Sequence, residues 1–79
     1  MTNEEKLREI FAEALGIDLT QVTEDLTYNT IPEWDSIGHM ALIAEIDDQF
    51  DTMLDTDDVL EMSTFAKAKE ILIKYDIKF

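Results

Sequence analysis

The apolar positions of this chain fall into helical register in three stretches and lose all period in one. Leu7, Ile10, Phe11, Ala14 and Leu15 follow at i, i+3, i+4, i+7 and i+8, one face of a helix. Ahead of them, Thr2-Asn3-Glu4-Glu5 has the spacing of a capping box, in which the Thr2 hydroxyl accepts the Glu5 amide while the Glu5 side chain reaches back. Gly16 is the expected stop. From Ser36 to Phe50, at about 100° per residue, Leu42, Ile43, Ile46 and Phe50 gather on one side of a second helix. Phe65, Ala68, Leu72 and Tyr75 form a third stripe, with Ser63 or Thr64 as its cap. Lys67, Lys69 and Lys74 lie along that helix, and Lys74 suits the negative end of its dipole. Between the second and third stripes, Thr56 or Asp57 can cap a short acidic turn holding Val59 and Leu60.

The remaining stretch, Ile17 to Asp35, is marked as loop by Thr20, Thr23, Asp25, Thr27, Asn29 and Pro32. At roughly nineteen residues it exceeds the ~12–15 beyond which a structureless connection is functional or a sign of misassignment. Ile17, Leu19, Val22, Leu26 and Ile31 are spaced along it and predict that it is pinned to the core. Strand-like alternation is brief, near Ile71-Leu72-Ile73 and Ile77-Lys78-Phe79. The pattern predicts an all-α fold: a small four-helix bundle, three main helices plus one short one, with a long loop between the first two. A single domain over residues 1–79 is expected.

Composition narrows the function. The 79 residues carry 6 basic and 19 acidic side chains, a formal net charge of −13. Such a surface repels phosphate backbones and anionic lipid, so neither nucleic acid nor membrane is an expected partner. At 46% hydrophobic residues the chain can still bury a core. Cysteine is absent, which removes disulfides, thiolate nucleophiles and cysteine-bound zinc together. With no secretory signal pattern and no apolar run of about 18 residues, a soluble, monomeric protein of a reducing cytoplasm is expected. A domain this small has little interior for an enclosed active site, which favours a protein that presents something over one that catalyses alone.

Asp35-Ser36 stands where the long loop meets the second helix. A serine there can cap the helix, since Ser and Asp are common N-caps. The position also favours negative charge, so a phosphate ester on Ser36 would be stabilised by the first-turn amides and the helix dipole. On the same helix, Ile37, Met40 and Ala44 project opposite the Leu42/Ile46/Phe50 face and are expected to meet solvent beside Ser36. With Asp47 and Asp48 farther along, they make a strip suited to docking a partner, and the flexible thioether of Met40 adapts to several surfaces.

Asp35-Ser36-Ile37 resembles the Asp-Ser-Leu motif of acyl carrier proteins. The run from Trp34 to Asp51, WDSIGHMALIAEIDDQFD, looks like the second-helix region of that family. Thr56-Asp57-Asp58 is similar to its acidic third helix and Met62-Ser63-Thr64-Phe65 to the turn before its fourth. The long loop after the first helix is also what that fold has. The resemblance implies that Ser36 carries 4′-phosphopantetheine in a phosphodiester, added from coenzyme A by a phosphopantetheinyl transferase with magnesium. The terminal thiol of that arm would hold acyl groups as thioesters, which fits a chain that has no cysteine and must import a soft sulfur nucleophile. Acyl-loading and acyl-processing enzymes with basic docking patches are the implied partners. Toward them the acidic set would be Asp35, Glu45, Asp47, Asp48, Asp51, Asp57 and Asp58, with Ile37 and Met40 as apolar contacts. Leu42, Ile46, Phe50, Phe65 and Leu72 either pack or line a space into which such folds admit an acyl chain.

The chain departs from the fatty-acid branch at Gly38 and Ala41, where acids are usual, at Ile37 in place of leucine, and at Trp34. It looks more like discrete carriers outside housekeeping fatty-acid synthesis. Gly38 is expected to loosen the first turn by up to about 1 kcal/mol relative to alanine. Other readings are weaker. Asp35, Ser36 and His39 are the ingredients of a hydrolase triad, but triads draw on separated segments around a pocket, and His39 is expected to pack or cap. Asp47 to Asp51 and Asp51 to Asp58 suggest calcium loops but lack the glycine and glutamate an EF-hand needs. The rival reading is an unmodified acidic interaction domain that binds a basic protein through the Ile37/Met40/Ala44 strip.

Overall fold

The computed structural model describes residues 2–79 and contains four α-helices in chain order: α1 (Asn3–Leu15), α2 (Ser36–Phe50), α3 (Thr56–Glu61) and α4 (Phe65–Ile73). The expected all-α bundle of three longer helices and a short one is what forms. No strand occurs among the described residues, and both segments of brief alternation are helix or irregular chain. None of the described helices is long and apolar enough to cross a membrane.

The helix ends follow local chemistry. At α1 both hydrogen bonds of the capping box are present, and Gly16 closes the helix in the left-handed region at φ 68°. Thr64 caps α4 by accepting the Lys67 amide. At α3 the cap position is Asp55, not Thr56 or Asp57, and its amide donates to the Tyr75 hydroxyl.

Leu7, Ile10, Phe11 and Leu15 from α1, Leu42, Ile43 and Ile46 from α2, and Phe65, Ala68, Ile71 and Leu72 from α4 form one buried cluster. Phe11 is its centre, meeting Trp34 edge-on at 5.4 Å and Phe65 at 5.1 Å. Tyr75 lies past the end of α4 and is only half-buried.

The long loop is pinned as its apolar spacing predicted, with one exception and one addition. Val22 and Leu26 are buried and Ile17 and Ile31 pack against the core, but Leu19, in a single 3-10 turn (Leu19–Gln21), is 49% exposed. The addition is Trp34, which is wholly buried. Polar anchors complete the attachment. The Arg8 guanidinium donates to the Val22 carbonyl. The Tyr28 amide donates to the Ser63 carbonyl at 2.7 Å and the Phe65 amide to the Leu26 carbonyl at 3.2 Å, around an isolated bridge between Thr27 and Thr64. Lys69 joins Glu4 of α1 to Glu24 of the loop, and the Glu24 hydrogen bond is the main reason its ammonium is held above the ordinary lysine range.

Asp58 is turned inward rather than outward with the other acids. It is buried, accepts from the Lys74 ammonium and the Tyr75 hydroxyl, each at 2.6 Å, and so fastens α3 to the end of α4. The Lys74 hydrogen bond, then that of Tyr75, holds the Asp58 carboxyl below the usual carboxylate range, and the same contact raises Lys74. A carboxyl depressed on folding contributes stability that is fully present above its unfolded value and is lost as pH falls through the folded one. The raised Lys74 works in the opposite sense, contributing below the ordinary lysine range and losing its share as pH rises through the raised value. The stability gap between the wild-type chain and Asp58→Asn is therefore expected to be widest near neutral pH and to narrow from about pH 4 downward. Urea unfolding at both pH values measures it, and a gap that ignores pH would count against the pairing.

Candidate functional site

Asp35, not Ser36, is the N-cap of α2. Its Oδ1 accepts the Gly38 amide at 2.8 Å and its carbonyl accepts the His39 amide, also at 2.8 Å. Ser36 is the first helical residue, is exposed, and its hydroxyl is not used to cap the helix. The Asp35 side chain thus satisfies one orphan amide, that of Gly38, its carbonyl accepts the first helical bond, and the amides of Ser36 and Ile37 remain at the positive end of the dipole.

Gly38 reverses the expectation attached to it. A Cβ there would collide with the Glu33 carbonyl oxygen and press on Leu15 at 3.2 Å. The glycine is what lets the last residues of the loop fold back over the first turn of α2. Gly38→Ala, which helix propensity alone would make stabilising, is instead expected to lower the melting temperature and disturb the Asp35 cap. A thermal melt followed by circular dichroism checks the sign.

Beside Ser36 lies a groove of about 270 Å³ between α2 and α3. Ser36, His39 and Met40 line it from α2, Val59 and Leu60 from α3, and Tyr28, Met62 and Ser63 from the connecting segments. Its walls are mainly apolar. Ile37, Met40 and Leu60 stand around the serine with 79%, 62% and 77% of their surfaces exposed. Leu60 was not singled out by its sequence position. A helix of six residues shows no resolvable face, so the Val59-Leu60 pair did not reveal which of the two points outward.

The other expected docking residues divide. Ala44, Asp48 and Asp57 are exposed. Asp48 lies twelve residues along α2 from Ser36, roughly 18 Å at the helical rise. Asp35 is exposed but holds the cap, and Asp47 is half-buried, its Oδ1 accepting from the Thr52 hydroxyl and the Leu54 amide to shape the chain after α2. Asp58 does not join the set, because it is buried in the contact with Lys74 and Tyr75.

His39 packs, as expected, and bridges as well. Its Nδ1 accepts the Trp34 indole N–H at 2.9 Å and its Nε2 lies 2.7 Å from the Val59 carbonyl. Both ring nitrogens are engaged, so neither is left to act as a base toward Ser36. The hydrolase arrangement is not assembled.

An exposed hydroxyl at the start of a helix, beside an apolar groove, defines a presenting surface in place of an enclosed active site. A family model described as the phosphopantetheine attachment site matches residues 5–72. The chain belongs to that family, the domain of acyl carrier proteins, and is a phosphopantetheine carrier. Members bind 4′-phosphopantetheine covalently. The residues present fit such a group. Ser36 is open to solvent and free of capping duty, and the neighbouring groove offers apolar walls for an arm.

Proposed function

We propose that Ser36 is the attachment residue and that the chain delivers acyl groups to partner enzymes of fatty acid, polyketide or related specialised biosynthesis. The single observation that supports this most is that the serine is exposed at the first position of α2 while its neighbour does the capping. When attached, the arm supplies a terminal thiol that holds the cargo as a thioester. Everything else is positioning by the chain. The Ser36 oxygen forms the new phosphodiester as the nucleotide portion of coenzyme A departs, and the α2 dipole favours the added negative charge. Ile37, Met40 and Leu60 offer apolar contact around the attachment point, and Asp48 and Asp57 add charge at its margins.

Incubating the chain with coenzyme A, magnesium and a promiscuous phosphopantetheinyl transferase, then measuring intact mass, tests the reading. One added phosphopantetheine unit is expected. No addition, under conditions that load a control carrier, would favour the unmodified interaction domain.

Partner encounter is expected to be steered by charge. Of the six cationic side chains, Lys6, Arg8, Lys69 and Lys74 are already committed to contacts within the fold. With 19 acidic against 6 basic side chains, the net charge of −13 makes the outward field negative. Because screening acts within about 8 Å at physiological ionic strength, the transferase on-rate should fall as salt rises. A stopped-flow on-rate indifferent to salt would refute steering.

A further inference from the structure

We propose that His39 sets the cargo class of this carrier: it bars the interior below the Ser36 groove, so that short acyl groups are served and long aliphatic chains gain no burial. The inference rests on the reading of Ser36 as the attachment site.

The imidazole ring contributes to the lining of the groove, as does the buried Met62. The ring reaches from α2 to the Val59 carbonyl on α3 at 2.7 Å, and on its other edge it accepts the Trp34 N–H at 2.9 Å. An indole nitrogen only donates and a carbonyl only accepts, so both bonds are made by the neutral ring with its proton on Nε2. Trp34, wholly buried, stacks on the imidazole at 6.1 Å and 25°, and Tyr28 meets the ring edge-on at 5.4 Å. His39 thereby joins the loop, α2 and α3, while the core residues Leu42, Ile46, Phe65 and Leu72 are sealed from solvent.

A chain passing inward would have to turn the imidazole aside. That would leave the Trp34 N–H buried without an acceptor and the Val59 carbonyl without its donor, an arrangement folded proteins avoid. A chain confined to the groove lies along Met40 and Leu60, themselves largely exposed, and stays partly wet. Added length therefore brings little protection.

The full chain, loaded by a promiscuous transferase from acetyl- and octanoyl-coenzyme A, tests this. Thioester cleavage by hydroxylamine is timed for each form, and the Trp34 indole N–H is followed by NMR. For the wild-type chain the two cleavage rates should agree within about twofold, since little methylene burial distinguishes them. The indole resonance should be the same in both forms. In His39→Leu the octanoyl thioester should become protected by about tenfold or more over the acetyl one. His39→Gln, whose amide can both donate to Val59 and accept from Trp34, should restore the wild-type ratio. A merely structural role would change both thioesters alike.

Strong octanoyl protection in the wild-type chain, with a shifted indole signal, overturns the proposal whether or not the variants fold. A folded His39→Leu that treats the two chains equally overturns it as well. No loading at all removes the attachment reading and this inference with it, and intact mass reveals that before any cleavage is measured.

Discussion

Ser36→Ala takes up no phosphopantetheine, while Ser63→Ala is loaded in full: that is the expected result with the largest effect. The two serines border the same groove and both are exposed, so proximity to the groove does not separate them. Their surroundings do. Ser36 is the first residue of a fifteen-residue helix whose cap is already filled by Asp35. Ser63 precedes the Thr64 cap of α4, and its carbonyl accepts the Tyr28 amide, which holds that backbone against the loop. Ser36→Ala should also keep the melting temperature, because an exposed first-turn serine without a capping bond changes stability by no more than about 0.5 kcal/mol. Intact mass and a thermal melt on the same samples check both halves. A loaded Ser36→Ala would move the attachment site elsewhere.

Trp34→Ala is expected to cost about 3–5 kcal/mol, the usual range for emptying a large aromatic site. For a domain with a total stability of about 5–15 kcal/mol, that removes much or all of the folding margin. The indole touches Phe11 and Tyr28 edge-on, at 5.4 and 6.0 Å, and is the donor that His39 Nδ1 accepts. Its loss empties the space beneath the loop and strands an imidazole nitrogen. Trp34→Phe should fall between, keeping most of the ring volume but not the N–H. Trp34 is the sole tryptophan, so urea unfolding of the variants has to be followed by circular dichroism. A loss below about 1 kcal/mol would show that the loop is not anchored there.

The same residue marks where sequence reading stopped. Helix faces and most caps were legible because their determinants lie within a few residues of one another, as in the Thr2–Glu5 box and the Thr64 cap. The start of α2 at Ser36 was legible from the change of pattern where the loop ends. Trp34, in a stretch without period, owes its burial to Phe11, Tyr28 and His39, which no local spacing brings together. Asp58 read as an outward acid because a six-residue helix shows no resolvable face, and its partners Lys74 and Tyr75 stand sixteen and seventeen positions away. Gly38 was misjudged for a related reason: propensity describes a helix in isolation, and the carbonyl that forbids a side chain there belongs to the loop.

The division of labour between Asp35 and Ser36 has a consequence for the attachment proposed at the serine. Because the carboxylate ties down the end of α2, esterifying the neighbouring oxygen removes no bond on which the scaffold depends. The bare and the decorated forms can share one architecture and one durability. A partner would then tell them apart by what hangs from the surface, with no change of shape beneath it.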